Sequence, residues 1–459
     1  MSASGAAALL ADGCELRCTA CSTVVREPLV VRCPAARPGD DVDHVLAPAE
    51  PDAASTWPTD DLVEPSDDGA TAGARPFVRY RRLLWSHRAA LAAGMTDDDW
   101  VALVTGLDDA VAHVDGRGFR VTPLAEHPAL AAAVGASRVV AKDETGQPSG
   151  SHKGRHLFGL AIVLRVATEL GWIDQVPRLA IASCGNAALA AAVVARAGGW
   201  PLDVFVPPHA DPWVLDRLGD LGAEIVPCPR RDGEAGDPCY HRFREAVAAG
   251  SFPFGCQGTD NGLTLDGGAT LGYELAEQLA ARGLDLDHLA VQVGGGALGA
   301  SVAAGIARAA RAGVLLDVPA LVATQTAGAA PLRRAWERAL ARAGSHDPIA
   351  LGGALDAMAT RRSEAMWPWE DEPHSLATGI LDDETYDWRA LLGAVAASGG
   401  DVVVAGEAQI AAANRLVTAH TTVAADHTGT SGVAGLLALS AAGRRPGAAG
   451  VLLTGARRT

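Results

Sequence analysis

From Val139 onward the chain alternates short apolar runs with Ala-rich stretches, and this alternation restricts the fold more than any other feature. RVVAK is followed by LFGLAIVLRVATEL, RLAIAS by NAALAAAVVARAG, and then comes LDVFVP. After Gly268 the pattern resumes with TLGYELAEQLAARG, LAVQVGGG, ALGASVAAGIARAARAG and ALVATQT, and DVVVAGEAQIAAANRLVTAH and GVLLTG carry it to the end. Short apolar runs bounded by turn residues suit strands buried on both faces, and the longer Ala-rich stretches suit helices that cover them. The pattern predicts an α/β protein with two open, mostly parallel sheets. Such sheets bind ligands at the carboxyl ends of their strands, so the chemistry is expected in the turns that follow. No repeat of fixed period is present, which excludes a solenoid.

At 459 residues, two or three domains are expected by the usual allowance of roughly 100–200 residues each. The reading divides the chain into an N-terminal cysteine-containing extension and arm (1–75), a large α/β domain (76–160 with 270–459) and a small α/β domain (161–269). Residues 48–75 are rich in Pro, Asp, Gly and Ala and read as a linker or extended arm. Of eight cysteines, Cys14, Cys18, Cys21 and Cys33 fall in the first 33 residues. Cys18 and Cys21 form a C-x2-C knuckle, and Cys33 with either Cys14 or His44 would complete a tetrahedral zinc site. The opening segment has no basic residue before its apolar run, so no secretory leader is expected; with cysteines this sparse, the expected compartment is the cytoplasm. Acidic residues exceed basic ones by 16, which argues against nucleic acid as a partner, and no apolar run is long enough to cross a membrane. Ala, Gly and Arg usage resembles that of a GC-rich bacterium.

Four turns carry candidate chemistry. In AKDETGQPSGSHKGRH (141–156) a strand breaks at Pro148 and Gly150, and a helix opens at Lys153, flanked by Ser151 and His152. Lysine is rare in this chain, and positive charge is disfavoured at a helix N-terminus, a setting that suits an amine for Schiff-base chemistry. In IASCGNAALAAAVVARAG (181–198), Ser183, Gly185 and Asn186 precede a helix and offer small polar groups and free amides to a carboxylate or phosphate. Cys184 between them reads as a packing residue. VQVGGGALGAS (291–301) is a strand–glycine loop–helix unit able to cradle a phosphate; the following strand ends in Thr324 and Gln325 rather than an acid, which points to a phosphate-bearing cofactor without an adenosine ribose. DHTGTSGVAGL (426–436) offers the hydroxyls of Thr428, Thr430 and Ser431 at another helix start, with Asp426 as an acidic alternative.

The order and spacing of these turns resemble the fold type II pyridoxal-phosphate enzymes, over about residues 75 to 450. That resemblance implies a tryptophan synthase β-like fold with two open, mostly parallel sheet domains and a small N-terminal extension. It also implies pyridoxal 5'-phosphate as cofactor, with Lys153 forming the internal aldimine and Asn186 contacting the 3-hydroxyl. The loop Gly294, Gly295, Gly296, Ala297, Leu298 and Gly299 would hold the phosphate. Ser183, Gly185, Asn186 and Ser151 would hold the substrate, and Ser431, or else Thr430 or Thr428, would face the pyridine nitrogen. Within the superfamily, LRCTAC, RPFVRYRRLL and SLATGI look like threonine synthase and its close relatives. The expected activity is elimination or replacement at Cβ or Cγ of a small amino acid by a homodimer, with O-phosphohomoserine as first substrate. A threonine or serine dehydratase, or a cysteate or cysteine synthase-like enzyme, is the alternative. A zinc-containing interaction protein, at Cys18, Cys21 and Cys33, is the non-enzymatic one.

Overall fold

The computed structural model describes residues 9–58, 74–234 and 236–458. Residues 59–73 of the expected arm and 1–8 of the opening segment lie outside the described residues.

Among the described residues, thirteen strands form three sheets. The largest contains β4 (Leu124–Glu126), β5 (Arg138–Asp143), β10 (His288–Gln292), β11 (Ala320–Thr326), β12 (Asp401–Ala405) and β13 (Ala448–Leu453), in the order β12-β11-β10-β13-β5-β4. All its pairings are parallel except that of the edge strand β4 with β5. The second sheet, β8-β7-β6-β9, is wholly parallel and uses β6 (Leu179–Ala182), β7 (Leu202–Val206), β8 (Glu224–Pro227) and β9 (Phe252–Pro253). The N-terminal β1 (Leu16–Cys18), β2 (Val24–Val25) and β3 (Leu46–Pro48) form a small antiparallel sheet. Helices cover the faces of the parallel sheets, so strands such as β10 are buried along nearly their whole length.

The helix Thr264–Ala281 is buried on almost every side. Glycines make this possible: a Cβ on Gly159 would lie 2.7 Å from the Gly267 Cα, and one on Gly272 would lie 2.5 Å from the Val302 carbonyl and 2.9 Å from the Gly305 Cα. This helix is therefore in backbone contact with both Lys153–Glu169 and Ala297–Arg311, the two helices that open at the lysine turn and the glycine loop.

A second device fixes the lysine turn. Lys142, Glu144, Arg155 and Glu274 are fully buried and satisfy one another. Lys142 Nζ donates to Glu274 Oε2 (2.8 Å), the Thr122 carbonyl (2.7 Å) and Gln278 Oε1 (2.7 Å). Arg155 grips Glu144 with Nε (2.7 Å) and Nη2 (2.9 Å) and reaches Glu274 with Nη1 (2.6 Å). Burial costs charged groups several kcal/mol each, so such a set persists only when its hydrogen bonds are complete, as here.

Candidate active site

The four turns singled out above each precede a helix, Lys153–Glu169, Asn186–Gly198, Ala297–Arg311 and Ser431–Ala441, and the first three follow strands, whereas the last follows the helix Glu407–His420. The segment after β13 stitches three of them together. The Ala456 amide donates to the Gly150 carbonyl (2.9 Å), the Asp426 amide to the Gly455 carbonyl (2.8 Å), and Arg458 donates to Asn186 Oδ1. Gln292, just before the glycine loop, donates to Thr454 Oγ1 (2.5 Å), which ties the fourth turn to the same segment.

The chain holds only two lysines. Lys142 is locked in the buried quartet, and Lys153 is half-buried at the start of its helix. The turn before it is wound tightly. Ser149 takes φ 61°, a left-handed conformation uncommon for serine, and its amide is held by Asp115 Oδ2 at 3.0 Å. His152 and Ser151 are buried with no hydrogen-bond partner for either imidazole nitrogen or for Ser151 Oγ. Burial first, and the Lys153 charge second, hold His152 well below its ordinary range, so its ring is neutral. His156 is depressed to about 3 for the same reasons, with Nδ1 against the Thr264 carbonyl.

At the glycine loop, Gly296 takes φ 95°, and a Cβ there would meet Thr385 Cγ2 at 2.9 Å. A Cβ on Gly295 would approach Tyr386 at 3.2 Å, and one on Gly294 would run into Asp382 and Ile380. The segment 380–387 thus closes over the loop. Sequence reasoning missed it, and with it Asp382, Tyr386 and Asp387. Asp382 lies against Gly294 and Gly295 and is pushed up to about 6 by burial, partly opposed by the Lys153 ammonium. Asp387 accepts the Gly258 amide (3.0 Å) and is pushed up to about 8 by burial. Lys153 also acts on Asp387 and on the buried Cys256, so the lysine and the glycine loop converge on one acidic, enclosed region.

The hydroxyls of the last turn are all engaged locally. Ser431 Oγ donates to the His427 carbonyl (2.8 Å), Thr430 Oγ1 to the Asp426 carbonyl (3.0 Å), and Thr428 Oγ1 accepts the Gly379 amide (3.0 Å). Asp426 Oδ1 accepts the Gly429 amide at 2.6 Å and so caps its own turn. Ser183, Gly185 and Asn186 are half-buried, whereas Cys184 is exposed, which corrects its reading as a packing residue. The turn bends outward at that position, and Ala188 and Leu189 take the buried places instead.

An open α/β architecture with a lysine turn and a phosphate-type glycine loop, each set between a strand and a helix, defines a class of cofactor enzymes, the tryptophan synthase β-like fold. The match is direct: residues 117–455 fit the family model described as pyridoxal-phosphate dependent enzyme, and the chain belongs to that family. An L-serine dehydratase of a Saccharomyces cerevisiae strain is 29% identical over 203 residues, which cover 43% of this chain and 58% of that protein. The chain thus spans little more than half the length of this curated relative. Among solved structures, diaminopropionate ammonia lyase from Escherichia coli superposes with a TM-score of 0.57 at 16% identity, covering 78% of this chain and 88% of the other. Threonine deaminase isoform 2 from Solanum lycopersicum does so with a TM-score of 0.55 at 17% identity, covering 80% and 92%. At such identities these structures establish the fold. No helix among the described residues is long and apolar enough to cross a membrane.

Proposed function

We propose that this chain is a pyridoxal-phosphate-dependent lyase that removes the β-hydroxyl of a small amino acid, in the manner of a serine or threonine dehydratase. The observation that carries this reading is the lysine inventory. Of the two lysines, Lys142 has all three of its protons committed in the interior, which leaves Lys153 to hold the cofactor. The yeast relative is named a serine dehydratase, which favours the dehydratase alternative over the threonine synthase reading.

The residues fit pyridoxal phosphate. The amides of 294–299 open a helix, where a phosphate is favoured, and glycine at 295 and 296 keeps the backbone approachable. When bound, the cofactor withdraws electrons from the substrate Cα and so acidifies its proton. The Lys153 amine takes that proton and later returns it. Ser183, Gly185, Asn186 and Ser151 hold the substrate carboxylate. Ser431, or else Thr430, would face the ring nitrogen. A hydroxyl there supplies no negative charge to keep the ring protonated, so expulsion of the β-substituent is favoured over the reprotonation that transamination needs.

Lys153→Ala tests the assignment. The variant is expected to lose borohydride-trappable cofactor and turnover by several orders of magnitude while unfolding at the wild-type denaturant concentration. Trapped cofactor remaining in that variant overturns the role of Lys153. Substrate class is read by offering wild-type enzyme L-serine, L-threonine and O-phosphohomoserine. Ammonia and a keto acid from the first two support the dehydratase; phosphate and threonine from the third restore threonine synthase.

A further inference from the structure

The N-terminal sheet lies outside the reaction described above, and it gathers the chain's densest set of soft ligands. Cys18, Cys21, Cys33 and His44 place one donor atom each within 4.8 Å of all the others. Cys18 ends β1, Cys21 sits in the turn to β2, and Cys33 and His44 come from the long connection to β3. Cys21 Sγ lies 3.6 Å from Cys33 Sγ, and Cys18 Sγ lies 3.5 Å from His44 Nδ1. A tetrahedral zinc with bonds of about 2.3 Å to sulfur and about 2.0 Å to nitrogen requires donor separations of roughly 3.5–3.8 Å.

We propose that these four side chains bind one structural zinc ion as a Cys3His site. His44 supports it twice over. Its Nδ1 faces the sulfurs, and its Nε2 lies 3.4 Å from Asp40 Oδ2, the carboxylate that orients a metal-bound imidazole and fixes its tautomer. The knuckle has the local shape that sulfur ligation needs. The Cys18 amide donates to the Thr23 carbonyl (2.9 Å), the Ser22 amide donates back to the Cys18 carbonyl (3.0 Å), and Ser22 takes a left-handed φ of 60°. Cys14, the other candidate for a fourth ligand, lies outside the cluster; its carbonyl accepts Trp85 Nε1 at 2.7 Å. Four protein ligands leave no open position, so the ion is structural.

The site sits where a staple is useful. Asp43, next to His44, pairs with Arg362 (3.3 Å) and donates its amide to the Ala359 carbonyl (2.8 Å). The Leu46 carbonyl presses on Gly262, at the end of the loop whose Gly258 amide reaches Asp387. Zinc would hold one end of that chain of contacts.

Purified full-length protein, prepared without chelator, is expected to carry about one zinc per chain by elemental analysis. Cobalt-substituted protein should show the visible bands of a tetrahedral thiolate site. Cys33→Ser and His44→Ala should lose most of the metal, Cys14→Ser should retain it, and His44→Cys should restore it. Should the ligand variants fail to fold, mercurial titration of wild-type protein must release one zinc per chain. Absence of stoichiometric metal after growth in zinc-supplied medium overturns the proposal, as does a Cys21–Cys33 disulfide in the native protein. None of these readouts depends on turnover, so they stand apart from the test of Lys153.

Discussion

The lysine turn and the Ser183–Asn186 turn have the same construction, strand end to helix start, and are held in place very differently. The lysine turn is fixed from below by four buried charges, from the side by Asp115, and from above by the Ala456 amide. Between Ser183 and Asn186 the described contacts are few: the Ser183 amide to the Phe205 carbonyl (3.3 Å), the Gly185 amide to Ser183 Oγ (3.4 Å), and Arg458 on Asn186. A Cβ on Gly185 would meet nothing within 4 Å. A group that carries a covalent cofactor must be placed to a fraction of an ångström. A turn that closes on successive substrates and releases products is better left loosely held.

The comparison breaks most visibly at Arg155. Arg155→Met leaves the buried Glu144 with the Thr122 hydroxyl but no cation, strips Glu274 Oε1 of its Arg155 donor, and should cost about 3–5 kcal/mol in denaturant unfolding. A loss below about 1 kcal/mol would mean that the quartet does not anchor the turn.

A pH scan of stability sharpens the contrast, because two buried acids respond with opposite signs. Arg155 and Lys142 hold Glu274 below its ordinary value against the cost of burial, so its contribution is present above the unfolded carboxylate value and is lost as pH falls through the lower folded one. Asp387, on the loop side, is raised to about 8. The folded state then retains a proton that the unfolded state has released, and stability declines as pH rises from about 4 to about 8. Asp387→Asn should flatten that decline, most plainly between about pH 6 and 8, where Asp382, raised only to about 6, has already ionised, and leave the acid limb unchanged. An unaltered slope between these limits would show that Asp387 ionises freely in the folded protein.

The smallest effect is expected at Gly185. Its φ of −139° is open to any residue and the space around it is free, so Gly185→Ala should change stability by less than about 0.5 kcal/mol. Because the residue lies in the proposed carboxylate site, KM should rise several-fold with cofactor affinity unaltered. An unchanged KM would move substrate binding elsewhere.

The strands, the helices after them and the four turns were legible because their signals are local: apolar runs, glycines at turns, a lysine at a helix start. What escaped notice is non-local. Arg155 meets Glu274 across 119 residues and Lys142 meets it across 132, and no periodicity announces either pairing. A hint was present in the charges themselves, Lys142 closing the apolar run RVVAK and Glu274 within TLGYELAEQLAA. Segment 380–387 has no regular pattern, so its closure over the glycine loop was invisible, as was the choice of His44 over Cys14 beside the knuckle.

The buried quartet has a further consequence. It sums two cations and two anions at short range, so its field dies away steeply with distance, as that of a multipole does. Lys153 is therefore positioned by a cluster that contributes little net potential at its amine, and the charge that acts with it comes from a different part of the chain, Asp382, because Asp387, raised to about 8, keeps its proton at neutral pH. Mechanical support and nearby charge reside in separate groups. Either can be altered by substitution without disturbing the other.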